Sequence, residues 1–148
     1  MYQRILIPVD GSATSSCALQ EAIKLAREHS AQLELVHVYE DILYWLDESY
    51  INYTELQETI RLNAEKLLAT AQTEVIQANL SVETKLLEAK NNRIENVIIA
   101  EAERWHADLI VIGTHGRSGF SRLMLGSVAE GIARLASIPV LLIRCAEK

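Results

Sequence analysis

Proline and cysteine are scarce in this chain: two of each among 148 residues, with one phenylalanine and aromatics at 5%. The two prolines, Pro8 and Pro139, stand near opposite ends, and no Pro/Gly/Ser-rich stretch divides the chain, which argues for one domain over 1–148. Cys17 and Cys145 lie far apart without metal-ligand spacing and are too few for a disulfide framework; both read as ordinary buried or half-buried thiols. No apolar run reaches the ~18–20 residues that cross a bilayer, so no membrane-spanning helix is expected. The opening Met1–Pro8 lacks the basic region, longer apolar core and cleavage site of a secretory signal, and a soluble cytoplasmic protein is the expectation. Basic residues are the minority, 14 Lys and Arg against 20 Asp and Glu for a net charge of −6. No basic stripe is visible that could neutralise phosphates, which speaks against a nucleic-acid partner.

What is present is an alternation of strand and helix patterns, with 49% hydrophobic residues to build a core. Arg4–Val9 is a short apolar run closed by the turn-rich Pro8-Val9-Asp10-Gly11-Ser12. Thr14–Ser30 repeats apolar residues at helical spacing, and Ser12 or Thr14 can cap it. Gln32–Tyr39 alternates as a strand, Leu33, Leu35 and His37 opposing Glu34, Val36 and Val38. Tyr53–Asn79 is a long amphipathic helix with Leu56, Ile60, Ala64, Leu67, Leu68, Ala71 and Val75 along one side. Ser81–Leu87 reads as a strand, Asn91–His106 as a helix and Asp108–Ile112 as an apolar strand core. Gly126–Ala136 is a helix with Val128, Ala129, Ile132 and Leu135 inward, and Pro139–Arg144 is a fifth strand. Glu40–Asn52, carrying Tyr44, Trp45 and Tyr50, follows neither period. Strands joined only by helical crossovers favour a parallel sheet covered on both faces, hence a doubly wound α/β domain.

The glycines are unevenly placed. Five of the six lie between Gly113 and Gly131, and the sixth, Gly11, follows the first strand. In an open parallel sheet ligands bind beyond the carboxyl ends of the strands, where the winding reverses, and both glycine clusters fall at such ends. Glycines let a backbone approach a phosphate, and successive amides in a turn or at a helix start attract anions. Arg117 and Arg122 add cationic donors suited to phosphate oxygens. The bland alternative is a loop whose glycines merely turn the chain. No lysine follows a glycine, which excludes the Walker loop, and no Gly-x-Gly-x-x-Gly follows the first strand.

Gly113, two residues, Gly116, nine residues, Gly126-Ser127 is a spacing that resembles the nucleotide-binding signature of the universal stress protein family. So do Ile7-Pro8-Val9-Asp10-Gly11-Ser12, Val36-His37-Val38, the run Asp108–Gly116 and the closing Ile138–Ile143, so that all but Glu40–Tyr53 is covered. The resemblance implies a five-stranded parallel sheet of order 3-2-1-4-5, with strands one and four meeting at the switch point. It implies adenine against Pro8, Val9 and Val38, and Asp10 facing the ribose or a phosphate-bound divalent ion. The amides of Gly113, Thr114, His115, Gly116 and Arg117 and of Gly126, Ser127 and Val128, with the Ser127 hydroxyl, would hold phosphates. It places the chain with the ATP-binding members, Mg2+ being carried by the phosphates. It also implies a homodimer whose fifth strands, Pro139 to Arg144, pair antiparallel, in keeping with an apolar Val140-Leu141-Leu142-Ile143 edge.

Simpler roles stand beside these. Asp10 can cap a helix or complete a turn. His115 has no cysteine, serine or carboxylate placed by sequence to form a triad, so a phosphate or backbone contact is expected of it. His37, inside an apolar strand, reads as a satisfied core histidine, and His29 and His106 as residues at negative helix ends. Gly131, mid-helix, costs about 1 kcal/mol against alanine and suits a close helix–sheet contact. Tyr44, Trp45 and Tyr50 can form a partner surface, a lid or a packed loop. The expected function is an ATP-binding regulatory module of the stress response, a nucleotide-dependent switch or assembly unit. The alternative is a slow ATPase or phosphotransfer enzyme in the same pocket, against which no catalytic residue or γ-phosphate lysine can be assigned.

Overall fold

The computed structural model describes residues 1–40, 53–115 and 125–145. Strands and helices alternate within them as β1 (Arg4–Pro8), α1 (Ala13–His29), β2 (Gln32–Tyr39), α2 (Tyr53–Gln77), β3 (Val82–Glu88), α3 (Ile94–Trp105), β4 (Leu109–Gly113), α4 (Ser127–Leu135) and β5 (Val140–Ile143). The strands form one parallel sheet of order β3-β2-β1-β4-β5. β1 is the middle strand, and its Ile5, Leu6 and Ile7 are each 0% exposed. Side chains alternate across a strand, so Ile5 and Ile7 join one core and Leu6 the other. The first core lies under α1 and α2, where Leu19, Ile23 and Val75 meet Leu33, Leu35 and Val111. The second lies under α3 and α4, where Ile98, Trp105 and Ile132 meet Val36, Ile110 and Ile112.

Local chemistry sets the helix ends. Ser12, not Thr14, caps α1: it is extended, and its Oγ accepts the Ser15 N–H at 3.1 Å. The helix stops at Ser30, whose φ of 54° is left-handed. α3 starts at Ile94 rather than Asn91, because Asn91 itself takes a φ of 53° that no right-handed helix contains. Leu135 stands 49% exposed instead of facing inward; it is the last residue of α4, and the buried stripe ends one turn earlier at Ile132. Leu56 is also exposed, so the apolar stripe of α2 is buried from Ala64 to Val75. Gly131 answers a contact between helices, not with the sheet: a Cβ there would lie 2.6 Å from Glu95 Cγ on α3.

The expectation of two separate thiols is not met. Cys17 on α1 and Cys145 beyond β5 are joined by a disulfide with Cα atoms 5.7 Å apart. Distance along the chain was misleading because β5 runs beside β4, returning the chain end to the start of α1, where Cys145 Sγ lies 3.3 Å from Ala13 O.

A charge cluster with two buried carboxylates, Glu34 and Glu101, joins β2 to α3 and was not foreseen. Glu34 is 1% exposed and is the register partner of Glu83 on β3. Arg104 donates to both oxygens of Glu101 and stands 3.5 Å from Glu34 Oε2, whereas Glu34 Oε1 has no hydrogen-bond partner among the described residues. Trp105 Nε1 donates to Glu83 at 3.1 Å. Burial, hydrogen bonding to Glu101 and repulsion from Glu101 push the Glu34 carboxyl up to about 8, against the pull of Arg104. Glu101 is also raised by burial, but hydrogen bonds from Arg104 and Glu34 outweigh this and hold it below its ordinary value.

The pair therefore keeps one proton on Glu34. The unfolded chain loses that proton near pH 4.5 and the folded chain only near 8, so stability falls as pH rises through this window. Glu34→Gln is expected to flatten that fall and to raise stability at pH 9 by about 1–3 kcal/mol. Urea unfolding at pH 5, 7 and 9 measures it; an equal loss at all three values would show that Glu34 is not the titrating group.

Candidate functional site

β1 pairs with β4 only through Ile5↔Leu109 and Leu6↔Ile110. Beyond Leu6 each strand keeps its other neighbour: β1 stays with β2 through Pro8↔Val36, and β4 stays with β5 through Gly113↔Ile143. The sheet consequently splits at the carboxyl ends of β1 and β4, and a cavity of about 310 Å³ opens in the split. Its apolar wall comes from Val9, Val36 and Val38 on one side, Ile112 and Ala129 on the other, and Ile94 and Ile98 of α3. Its polar rim comes from Asp10, Ser15, His37, Thr114, His115 and Ser127.

The β1–α1 turn is held by its own polar groups. Asp10 Oδ1 accepts the Ser12 N–H at 2.8 Å, and the Ser15 hydroxyl accepts the Asp10 N–H at 3.2 Å. Gly11 between them has a φ of 82°, which a side chain would strain. Asp10 thus completes a turn and also lines the cavity. His37 Nδ1 lies 2.7 Å from the Val9 carbonyl, an acceptor, so Nδ1 carries the proton there. It is satisfied as expected, but it is half-buried at the cavity rim rather than in the core.

On the β4 side, a Cβ on Gly113 would fall 2.7 Å from Thr14 Cγ2 and 2.9 Å from Thr14 O, so the first turn of α1 rests directly on this glycine. The Thr114 N–H donates to Ile143 O at 2.9 Å, and its buried hydroxyl lies 2.9 Å from His115 Nδ1. The Gly126 N–H donates to Thr114 O at 2.7 Å. Two of the amides assigned to phosphate are therefore already engaged within the protein. Ser127 and Val128, at the first turn of α4, keep the orientation that a helix N-terminus offers to an anion. Gly126 has φ −61° and ψ 150°, extended backbone open to any residue, so its glycine is not required by φ.

Of the expected residues, Pro8, Val9, Asp10, Val38, Gly113, Thr114, His115, Ser127 and Val128 line one cavity, and Gly126 caps the helix at its edge. Gly116 and Arg117, like Arg122 and the Tyr44–Trp45–Tyr50 segment, lie outside the described residues. Missed in the sequence were Ser15, Val36, His37, Ile94, Ile98, Ile112 and Ala129. Ile94 and Ile98 carry the one usable signal, a four-residue spacing on a helix facing the sheet. No cluster of three His, Cys, Asp or Glu able to hold a metal occurs among the described residues.

A doubly wound parallel sheet, split at its switch point into a cleft with a helix N-terminus on its rim, defines the class: an α/β protein whose cleft lies at the strand ends, where open parallel sheets take their ligands. The family model "Universal stress protein family" matches residues 1–144, and the chain belongs to that family. It is 29% identical to Universal stress protein YxiE of Bacillus subtilis, covering 97% of this chain and 100% of that one. It is 30% identical to Universal stress protein MJ0531 of Methanocaldococcus jannaschii, covering 100% and 85%. Among solved structures, UspA from Lactobacillus plantarum matches with a TM-score of 0.82 at 26% identity, covering 97% and 98%.

The tight seat of Gly113 under Thr14 gives a test of the site's frame. Gly113→Ala is expected to cost about 1–3 kcal/mol, because a helix turn must shift to admit the methyl group. Adding Thr14→Ser, which removes Cγ2, should recover only part of that loss, since the Thr14 carbonyl remains in the way. Denaturant midpoints of the two variants measure it; full recovery in the double variant would show that the backbone contact does not matter.

Proposed function

We propose that this chain is an adenine-nucleotide-binding regulatory protein that takes ATP in the β1–β4 cleft and changes assembly or partner contacts with it. The observation that carries this reading is the cleft itself, apolar at its base and polar where α4 begins. An adenine ring fits between Val9, Val38 and the α3 isoleucines, with ribose and phosphates running past Asp10 toward Ser127. A volume of about 310 Å³ is within the range of small-molecule sites. Mg2+ takes oxygen ligands and is usually held by one or two carboxylates plus substrate phosphates. Asp10 is the carboxylate at the rim that suits it. Solved universal stress proteins of this fold carry cAMP, dAMP (Archaeoglobus fulgidus) or AMP (Arabidopsis thaliana). At 22%, 23% and 17% identity they support the fold and make adenine the natural first ligand to try.

Calorimetric titration with ATP and magnesium is expected to show micromolar binding, weakened at least tenfold by Ile98→Trp, which fills the apolar base. No heat and no thermal shift with ATP, AMP or cAMP would refute the reading.

Assembly is the second part of the proposal. β5 is an edge strand with Leu141 38% and Leu142 37% exposed, and pairing it with itself about a twofold axis would cover both. Light scattering should give a dimer, and Leu142→Lys a monomer. A monomeric parent at micromolar concentration, or a variant of unchanged mass, would defeat it.

A further inference from the structure

We propose that Cys17 and Cys145 form a reversible thiol–disulfide clamp that sets how firmly the α1 wall of the cleft is held. The effect on ligand rests on the nucleotide reading above; the effect on the wall does not. The bond joins the second turn of α1 to the chain just past β5. Both ends of that bridge lead into the cleft. On the helix side, the same first turns carry Thr14, which rests on Gly113, and Ser15, whose hydroxyl accepts the Asp10 amide. On the strand side, Ile143, two residues before Cys145, accepts the Thr114 N–H. Anything that loosens the bridge therefore slackens the cleft from two directions.

β5 is the element best placed to respond. It has four residues, none of them fully buried, and four register partners on β4. A cross-link from its end back to α1 closes a loop spanning most of the chain, where constraint of the unfolded state is large. Both cysteines are half-buried, so a small thiol can reach them. Cys145 Sγ also lies 3.3 Å from the Ala13 carbonyl, so a reduced thiol has an acceptor beside it. The reaction is exchange with a low-molecular-weight thiol couple. Two RSH molecules break the protein S–S bond, each cysteine sulfur gains an electron and a proton, and RSSR leaves; the reverse closes the clamp.

The test uses the full-length protein in oxidised and reduced dithiothreitol, beside Cys17→Ser and Cys145→Ser. Alkylation with mass detection should find no free thiol in the oxidised form and two after reduction. Reduction should lower the thermal midpoint by about 5–15 °C. It should also speed amide exchange at 13–16 and 113–114, and weaken ATP binding about fivefold or more. Either serine variant should match the reduced protein and ignore dithiothreitol. Free thiols in the oxidised protein would overturn the proposal. So would a lowered midpoint with exchange at those amides unchanged, which would make the bond a structural staple. If neither form binds ATP, the nucleotide reading fails while the exchange result still decides the clamp.

Discussion

The two-pair junction between β1 and β4 governs the rest of the molecule. At the amino ends the strands are braced. Asp108 accepts the Gln3 and Arg4 amides at 2.9 and 3.1 Å, its own amide donates to Arg4 O at 2.8 Å, and Arg4 Nε donates to Trp105 O. The Arg4 guanidinium also sits 4.3 Å over the Trp105 ring, a favourable cation–π placement. Two pairs further on the contact ends, because β1 follows β2 and β4 follows β5. A brace at one end and divergence at the other yield a cleft without a dedicated pocket-forming element. The helices take opposite faces on either side of it, so their ends and turns become its rim.

Burial has different consequences at the two ends of the sheet. At the braced end Glu34 is removed from water and keeps its proton, with Glu101 and Arg104 sharing the charge. That arrangement makes the helix α3 contact sensitive to pH, as a buried carboxyl lacking a full set of partners must be. At the open end the polar groups, some half-exposed like Asp10 and some buried like Ser15, are engaged in short local bonds, as in the Asp10–Ser12–Ser15 turn. The same few bonds shape the turn and orient the rim, which is why Asp10 can both complete a turn and line the cleft.

Much of this was legible in advance. The element order, the parallel sheet and the end of the sheet where the cleft opens follow from periodicity and from where glycines interrupt it. Apolar strands such as Leu109-Ile110-Val111-Ile112 announce burial on both faces. The turn after β1 carries its own chemistry in Asp10, Gly11 and Ser12. Residues that line the cleft from consecutive stretches, Pro8 to Asp10 and Gly113 to His115, were named because local sequence positions them.

What escaped depends on distance in space. The partner of Cys145 is set by β5 lying beside β4; the burial of Glu34 is set by α3 crossing over β2. Ile94 and Ile98 become cleft residues only when α3 packs on the second core. The engagement of the Thr114 and Gly126 amides needs the chain to return through Ile143 and α4. Local periodicity and turn chemistry act over a few residues, so the sequence alone determined the elements and the end of the sheet where the cleft opens. Packing brings together groups with no sequence relation, and so the tertiary structure alone decided which thiols meet, which carboxylate is buried and which amides are engaged within the protein.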